Sequence, residues 1–243
     1  MKGAILTINP HATLVDLSHH VPAHSVEDAA YLLKSCYRYF PKGTVHVAVV
    51  DPGVGTRRQP MVVKTARYYF LGPDNGLFSY IFDEEAEVEV REIGNQHCRL
   101  ESVGRTFDGR DIFAPAAARL TTNQPFESFG RRIEEWVAFP ILEPERGANG
   151  LVGEVVYVDH FGNLISSLTL KHVDAVRSTA PRQGLELQIA GFRVNGLVAS
   201  YAVGSKVEPS ALINSNGAIE VFVKEGSAAQ WLKVGRGEPV TLS

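Results

Sequence analysis

The sequence TVHVAVVDPGVGTRR, residues 44–58, determines how the first half of the chain is interpreted. Residues 44–50 are rich in β-branched side chains and almost continuously apolar, which predicts a strand covered on both faces. Asp51 follows directly, and the two glycines after it permit a tight turn that leaves its carboxylate uncovered. Because open α/β sheets bind ligands beyond the carboxyl ends of their strands, this turn is a candidate site. A plain turn, with Asp51 bonded to nearby backbone amides, fits the same pattern.

Around this strand, the pattern as far as Pro140 alternates between strand and helix signals. The strand signals are residues 13–17 and the apparent pair 61–65 and 68–71, and the helical signals are residues 26–40 and 112–120. Such alternation predicts a layered α/β domain over residues 1–140. We expect its sheet to be mostly parallel.

The pattern of residue types changes at residues 141–149. Pro144 and Gly147 lie there among charged residues and indicate a linker. Beyond it, short strand-like runs are separated by Gly, Asn and Pro: residues 153–158, 164–168, 185–189, 206–208 and 218–223. Closely spaced strands without strong helical periodicity predict a small β-barrel over residues 150–243, with a sandwich as the alternative.

Composition narrows the possible partners and cofactors. The net charge of −3 and the absence of a basic block argue against a nucleic-acid partner. The two cysteines lack CxxC spacing, which suits a reducing compartment, and the first apolar run is too short for a signal peptide or a membrane span. We therefore expect a cytoplasmic protein without a membrane partner. No HExxH or clustered Cys/His pattern accompanies the eight histidines, so no metal is predicted.

Three further turns contain groups capable of chemistry. They are GPDNG at residues 72–76, TFDGRD at residues 106–111 and DHFGN at residues 159–163. Each also has an ordinary structural interpretation. The first is favourable turn chemistry, and in the second an aspartate can cap the following helix while Arg110 pairs with a surface carboxylate. In the third, Asn163 offers the paired donor and acceptor that an adenine edge needs, although the pattern favours an ordinary turn.

Taken together, these stretches resemble the SAM hydroxide adenosyltransferase family, which is related to SAM-dependent fluorinating and chlorinating enzymes. The matching motifs occur in order over nearly the whole chain: NPHATLVD (9–16), YFPKGTVHVAVVDPGVGTRR (39–58), GPDNGLFS (72–79), TFDGRDIFAPAA (106–117), VDHFGNL (158–164) and NSNGAIEVFVKEGSAA (214–229). The resemblance implies an N-terminal α/β domain and a C-terminal β-barrel. It also implies a homotrimer with active sites between subunits, and hydrolysis of S-adenosyl-L-methionine (SAM) to adenosine and L-methionine without a cofactor.

The resemblance also implies roles for particular residues. Enzymes of this family use an Asp–Arg–His set around the attacking water. Asp51 and Arg58 match its first two members, whereas Asp108 stands where the family has histidine. The remaining implied contacts are Phe107 and Gly109 lining the nucleophile pocket, Asp159 on the methionine ammonium, Asn163 on adenine, Ser215 on the methionine carboxylate, and the backbone from Val223 to Glu225 on the adenine edge.

Two departures from the family pattern leave alternatives open. The first is Asp108, which leaves open whether a carboxylate takes over the role of the family histidine. The second is that the chain begins after the family's first strand and its aspartate-bearing turn. That beginning suggests either a start codon assigned too late or a shortened product. One alternative function is a halide-using SAM enzyme, which two like-charged carboxylates disfavour. The other is a non-catalytic protein that binds adenosine or SAM.

Overall fold

The computed structural model describes residues 1–101, 103–104, 106–179 and 184–243 of the 243-residue chain. The chain divides into two compact units, Met1–Ile141 and Leu142–Ser243. The first combines helices with a small sheet, and the second is dominated by antiparallel strands. The predicted fold class, an α/β domain followed by a β-barrel, is therefore confirmed.

The described residues of the first unit form four α-helices and four strands. The helices are α1 (Lys2–Ile8), α2 (Val26–Cys36), α3 (Ser79–Glu84) and α4 (Ala114–Thr121), and the strands are β1 (Val45–Val47), β2 (Pro60–Lys64), β3 (Tyr69–Pro73) and β4 (Glu89–Glu92). A π-helical turn, Gly109–Phe113, leads directly into α4. Pro115 stands in the first turn of α4, where its missing N–H costs no hydrogen bond.

The sheet of the first unit is mixed, so the prediction of a mostly parallel sheet was wrong in that detail. The strand order is β1-β3-β2-β4; of these described strands β1 and β3 pair in parallel, whereas β2 pairs antiparallel with both β3 and β4. The physical reason is the short link between β2 and β3, since a parallel pair requires a crossover of a dozen or more residues. The strand expected at residues 13–17 does not form, and Val15 there is 62% exposed.

Strand β1 is covered on both faces, as its apolar sequence predicted. Val45, Val47 and Val49 pack against a cluster that includes Phe113 and two alanines of α4, Ala116 and Ala117. The intervening residues face a second cluster, rich in aromatic rings, that includes side chains of α2 and α3. This packing fixes the direction of the chain where it leaves β1 and enters the turn at Asp51.

The second unit is a nearly closed, barrel-like antiparallel sheet. Its strands are β5 (Glu145–Gly147), β6 (Gly150–Val158), β7 (Leu164–Thr169), β8 (Glu186–Ile189), β9 (Phe192–Asn195), β10 (Ser210–Ile213), β11 (Ala218–Phe222) and β12 (Pro239–Leu242). Their order is β10-β11-β7-β6-β12-β8-β9, with β5 beside β6. Two helices that the sequence did not predict accompany them, α5 (Leu170–Thr179) and α6 (Ala228–Leu232).

The core of this unit comes from inward-facing apolar side chains of the strands and of both helices. Among the residues that the structure describes, no helix is long and apolar enough to cross a membrane.

Candidate functional site

An arginine joins two aspartates beyond the carboxyl end of β1. Arg58 Nε donates to Asp51 Oδ1 at 2.9 Å, and its Nη2 contacts both Asp51 Oδ2 and Asp108 Oδ2. The three side chains are largely buried, with exposed fractions of 10% for Arg58, 6% for Asp51 and 13% for Asp108. Since two carboxylates share one guanidinium, the trio carries a net charge of −1 when both are ionised.

The turn that carries Asp51 and Arg58 is stabilised by local hydrogen bonds. The Val54 amide donates to the Asp51 carbonyl at 3.3 Å, and the Thr56 hydroxyl donates to the Gly53 carbonyl at 2.7 Å. Gly55 has a φ of +79°, a conformation that glycine adopts without strain. The turn therefore curls so that Arg58 returns to Asp51, seven residues earlier.

Asp108 reaches the same arginine from a different part of the chain. It precedes the π-helical turn, and its side chain makes no capping hydrogen bond to the described residues of that turn. Its carboxylate instead contacts Arg58. Arg110 pairs with Asp111 at 2.9 Å and is about half exposed, as the surface ion-pair interpretation expected.

An aromatic ring and an open groove lie beside Arg58. The Arg58 guanidinium lies 5.6 Å from the centre of the buried Phe113 ring, within range of a cation–π contact. A groove of about 770 Å³, lined in part by Arg58 and Asp108, opens beside them. Phe107 is 52% exposed, and a side chain on Gly109 would lie 3.2 Å from the Met1 sulfur. The groove gives Arg58 and Asp108 access to solvent and to a small molecule, and Asp51 lies behind them in contact with Arg58.

In the second unit, Asp159 and Asn163 are in direct contact. Asp159 Oδ1 accepts from the amides of Phe161 at 2.9 Å and Asn163 at 2.8 Å, and Oδ2 accepts from Asn163 Nδ2 at 2.9 Å. These bonds form the turn that the structural interpretation expected. They do not exhaust either side chain, because a carboxylate has about four acceptor sites and an amide has two donors and an acceptor.

The other predicted substrate contacts lie on two turns, one at each end of β11. Ser215 is exposed between β10 and β11, in a turn where Asn214 Oδ1 accepts from the Ala218 amide at 3.1 Å. Val223 is buried just after β11. Glu225 is exposed, has a φ of +59° and pairs with Lys206 at 2.6 Å.

One polar group in this unit was missed by the sequence analysis. Glu220 is 4% exposed on β11 and accepts from the Tyr201 hydroxyl at 2.6 Å and from Asn214 Nδ2 at 3.1 Å. Burial raises the pKa of Tyr201, and so do, in decreasing order, its hydrogen bond to Glu220 and the negative charges of Glu220 and Asp159. The signal was present in the sequence, since Glu220 is a lone charge in the apolar run AIEVF.

Within the described ranges, no three or more His, Cys, Asp or Glu side chains group in a way that would hold a metal ion. The trio in the first unit is instead suited to acid–base chemistry on a small molecule, because it presents paired carboxylates and one fixed cation beside an open groove.

Comparison with known proteins identifies the same family along the chain. The model for the SAM hydroxide adenosyltransferase N-terminal domain matches residues 1–130, and the model for the C-terminal domain matches residues 153–241. A curated protein from Thermus thermophilus, named (R)-S-adenosyl-L-methionine hydrolase, is 34% identical over 100% of this chain and 92% of its own. A protein of the same name from Methanocaldococcus jannaschii is 32% identical over 96% of this chain and 86% of its own.

The fold is similar to that of a solved structure. The crystal structure of an uncharacterized conserved protein from Thermotoga maritima has a TM-score of 0.89 and 31% identity, covering 99% of this chain and 92% of that one.

Proposed function

Because the chain belongs to the SAM hydroxide adenosyltransferase family, we propose that it hydrolyses SAM to adenosine and L-methionine. Relatives that match almost the whole chain carry the name of this activity. The observation that carries the proposal is the contact of Arg58 with both Asp51 and Asp108 beside an open groove. We propose these three as the catalytic residues.

The reaction is the attack of water on the ribose 5′-carbon of SAM. The water oxygen forms a bond to that carbon while the bond from carbon to sulfur breaks, and the electron pair stays on the sulfur of methionine. One proton of the water passes to a carboxylate and then to solvent. Because a sulfonium is already a good leaving group, the protein needs mainly to align and deprotonate the water. Asp51 and Asp108 are the acceptors within reach of Arg58, which limits their mutual repulsion.

We propose the remaining contacts from the family resemblance. Phe107 and Gly109 flank Asp108 in the chain and would line the nucleophile pocket. The Asp159 carboxylate would bind the methionine ammonium, and its unused lone pairs permit this. The contacts proposed for the rest of the substrate are Asn163 for adenine, Ser215 for the methionine carboxylate, and the backbone of Val223 to Glu225 for the adenine edge.

The test is incubation of the purified protein with SAM containing both sulfonium epimers, followed by chromatographic measurement of adenosine and methionine. Asp51→Asn should lower turnover by about a hundredfold or more, in the range of general acid–base contributions. Glu84→Gln is a matched control, because Glu84 is a largely buried carboxylate of the same unit that pairs with Arg38 at 3.1 Å. Equal loss of turnover in both variants would contradict the assignment of Asp51.

The same assay separates the alternatives. A chlorinated or fluorinated nucleoside formed in the presence of halide would identify a halogenating enzyme. Binding of SAM in calorimetry without release of adenosine would identify a non-catalytic binding protein.

We also propose a homotrimer with active sites shared between subunits. The support is the family resemblance, together with the division of the proposed ligands between the two units, residues 51–109 and residues 159–225. Mixing Asp51→Ala and Asn163→Ala subunits should then restore part of the activity. A monomer in light scattering would contradict this proposal.

A further inference from the structure

The turn GPDNG, residues 72–76, lies at the same edge of the sheet as Asp51. Strands β1 and β3 are parallel, with Val45 beside Tyr69 and Val47 beside Leu71. Their carboxyl ends therefore meet at one edge, where β1 continues into the turn of Asp51 and β3 continues into Asp74 and Asn75. The sequence alone favoured a purely structural turn here.

Two adjacent residues of this turn bind the two ends of the segment 51–58. The side chain of Asn75 donates through Nδ2 to the carbonyl of Val50 at 2.9 Å, immediately before Asp51. The backbone amide of Asp74 donates to the carbonyl of Gln59 at 2.9 Å, immediately after Arg58. Asp74 and Asn75 thus span the segment that carries the aspartate and the arginine of the candidate site.

The turn is itself firmly anchored. Asp74 is buried, and its Oδ1 accepts from the Val137 amide at 2.8 Å. Asn75 Oδ1 accepts from the Leu77 amide at 3.3 Å, which fixes the orientation of the side-chain amide. A side chain on Gly72 would lie 2.5 Å from the Ala48 carbonyl oxygen, so the first residue of the turn lies directly against the chain that leaves β1. Because this turn is anchored, it can restrict the positions of the residues to which it is hydrogen-bonded.

The bond to Val50 acts on Asp51 through the peptide plane. The carbonyl of Val50 and the amide of Asp51 belong to one rigid planar unit. When Asn75 fixes the carbonyl, it also fixes the direction in which the Asp51 backbone leaves that plane. Rotation of this plane would swing the Asp51 carboxylate away from Arg58. Misplacement by about 1 Å in a catalytic constellation can cost about a hundredfold in rate.

We propose that Asn75 is a positioning residue that keeps the Asp51 carboxylate oriented toward Arg58. The expected effect on kcat rests on the proposed hydrolase function. Asn75→Asp and Asn75→Ala separate its two bonds. The aspartate keeps the acceptor for the Leu77 amide, but its carboxylate cannot donate to Val50. Alanine loses both bonds.

The control is Asn95→Ala. Asn95 lies in the same unit, and its Nδ2 donates to a backbone carbonyl in the same way, that of Ser128. Its hydrogen bond is not to a residue next to Asp51 or Arg58. Asn95→Ala therefore measures how the loss of one side-chain bond to a backbone carbonyl elsewhere in the unit changes kcat and exchange. Two measurements are made on each variant: kcat and KM for SAM, and hydrogen–deuterium exchange of peptides that cover residues 50–58.

We expect both Asn75 variants to lower kcat at least tenfold with KM within threefold of wild type. We also expect faster exchange at the Val54 and Thr56 amides, whose bonds close the segment at 3.3 and 3.1 Å. Asn95→Ala should leave kcat and this exchange as in the wild type. Wild-type kcat in Asn75→Asp would overturn the inference, and so would a rise in KM alone, which would place Asn75 on the substrate instead.

If the proposed function is wrong, adenosine release and hydrogen–deuterium exchange give a different combination of results. If the wild-type protein releases no adenosine while the Asn75 variants still exchange faster over residues 50–58, the positioning role stands and the hydrolase assignment falls. Unchanged exchange in both Asn75 variants would overturn the positioning role whatever the activity of the wild type.

Discussion

His46 should make the folded first unit sensitive to acid. Its ring is 4% exposed on β1 and is surrounded by aromatic rings, with centroid distances of 5.1 Å to Phe70, 5.4 Å to Phe40, 5.6 Å to Tyr68 and 6.3 Å to Tyr37. Its Nε2 is buried and has no hydrogen-bond partner among the described residues. Because an imidazolium there would be stripped of water, burial lowers the pKa of His46 from 6.5 to about 4.

The sign and size of the effect follow from proton linkage. Above pH 6.5 the ring is neutral in both the folded and the unfolded chain, and the free energy of unfolding is not affected by this group. Between pH 6.5 and pH 4 the unfolded chain binds a proton that the folded chain does not. The free energy of unfolding then falls by about 1.4 kcal/mol per pH unit, or about 3 kcal/mol over the whole window.

The test compares the wild type with His46→Phe, which keeps an aromatic ring and removes the titrating group. Trp231→Phe is introduced into both proteins as a common background. Fluorescence then reports on Trp136, which packs beside Phe82 in the aromatic core of the first unit. Urea unfolding is measured at several pH values from 7.5 to 4. We expect the two proteins to lie within about 1.5 kcal/mol at pH 7.5, as for other volume-conserving core replacements.

As the pH falls, the wild type should lose about 3 kcal/mol more than His46→Phe. Other groups also titrate in this window, including His172, whose pKa burial lowers. They are present in both proteins and cancel in the difference. Parallel curves for the two proteins between pH 6.5 and pH 4 would refute the reasoning, since they would mean that His46 is not held neutral by its surroundings.

Three further predictions concern the candidate site and its support. Asp108→Asn should lower turnover by about a hundredfold or more with a preserved melting temperature, because Asp108 makes no capping bond; unchanged turnover in this variant and in Asp108→His would remove it from the mechanism. Gly72→Ala should destabilise the protein by about 1–3 kcal/mol in urea unfolding, since its Cβ would lie 2.5 Å from the Ala48 carbonyl oxygen, whereas Gly3→Ala, with nothing within 4 Å, should not. EDTA should leave SAM hydrolysis intact, and activity that a divalent ion restores after EDTA treatment would contradict a mechanism based on side chains alone.

The sequence predicted those elements whose stability is local. The apolar run before Asp51 became β1, the pair expected at residues 61–65 and 68–71 became β2 and β3, and the small-residue helix became α4. Residues 13–17 have a strand-like pattern but form no strand, because a strand also needs a neighbour to bond. The helix α5 was missed because it follows β7 without a break and has only a weak apolar stripe.

The candidate site was harder to derive from spacing alone. Glycines and a seven-residue separation made it plausible that Asp51 and Arg58 share a turn. Nothing local places Asp108 beside Arg58, fifty residues away, and only the family resemblance suggested it. The role of Asn75 was also hidden, since Pro-Asp-Asn-Gly composition predicts a turn but not which carbonyl a side-chain amide will bind.

The second carboxylate also bears on which nucleophile and substrate the proposed site favours. An anion that enters beside Asp51 and Asp108 meets a net negative charge, and like charges about 4 Å apart repel by about 4 kcal/mol at an effective dielectric constant of about 20. Neutral water escapes this penalty and gains a proton acceptor. A sulfonium, as a cation, is attracted to the same charge. In the proposed site this charge would favour water over halide as the nucleophile. Asp108→Asn, which removes one of the two negative charges, should weaken that preference as well as slow hydrolysis.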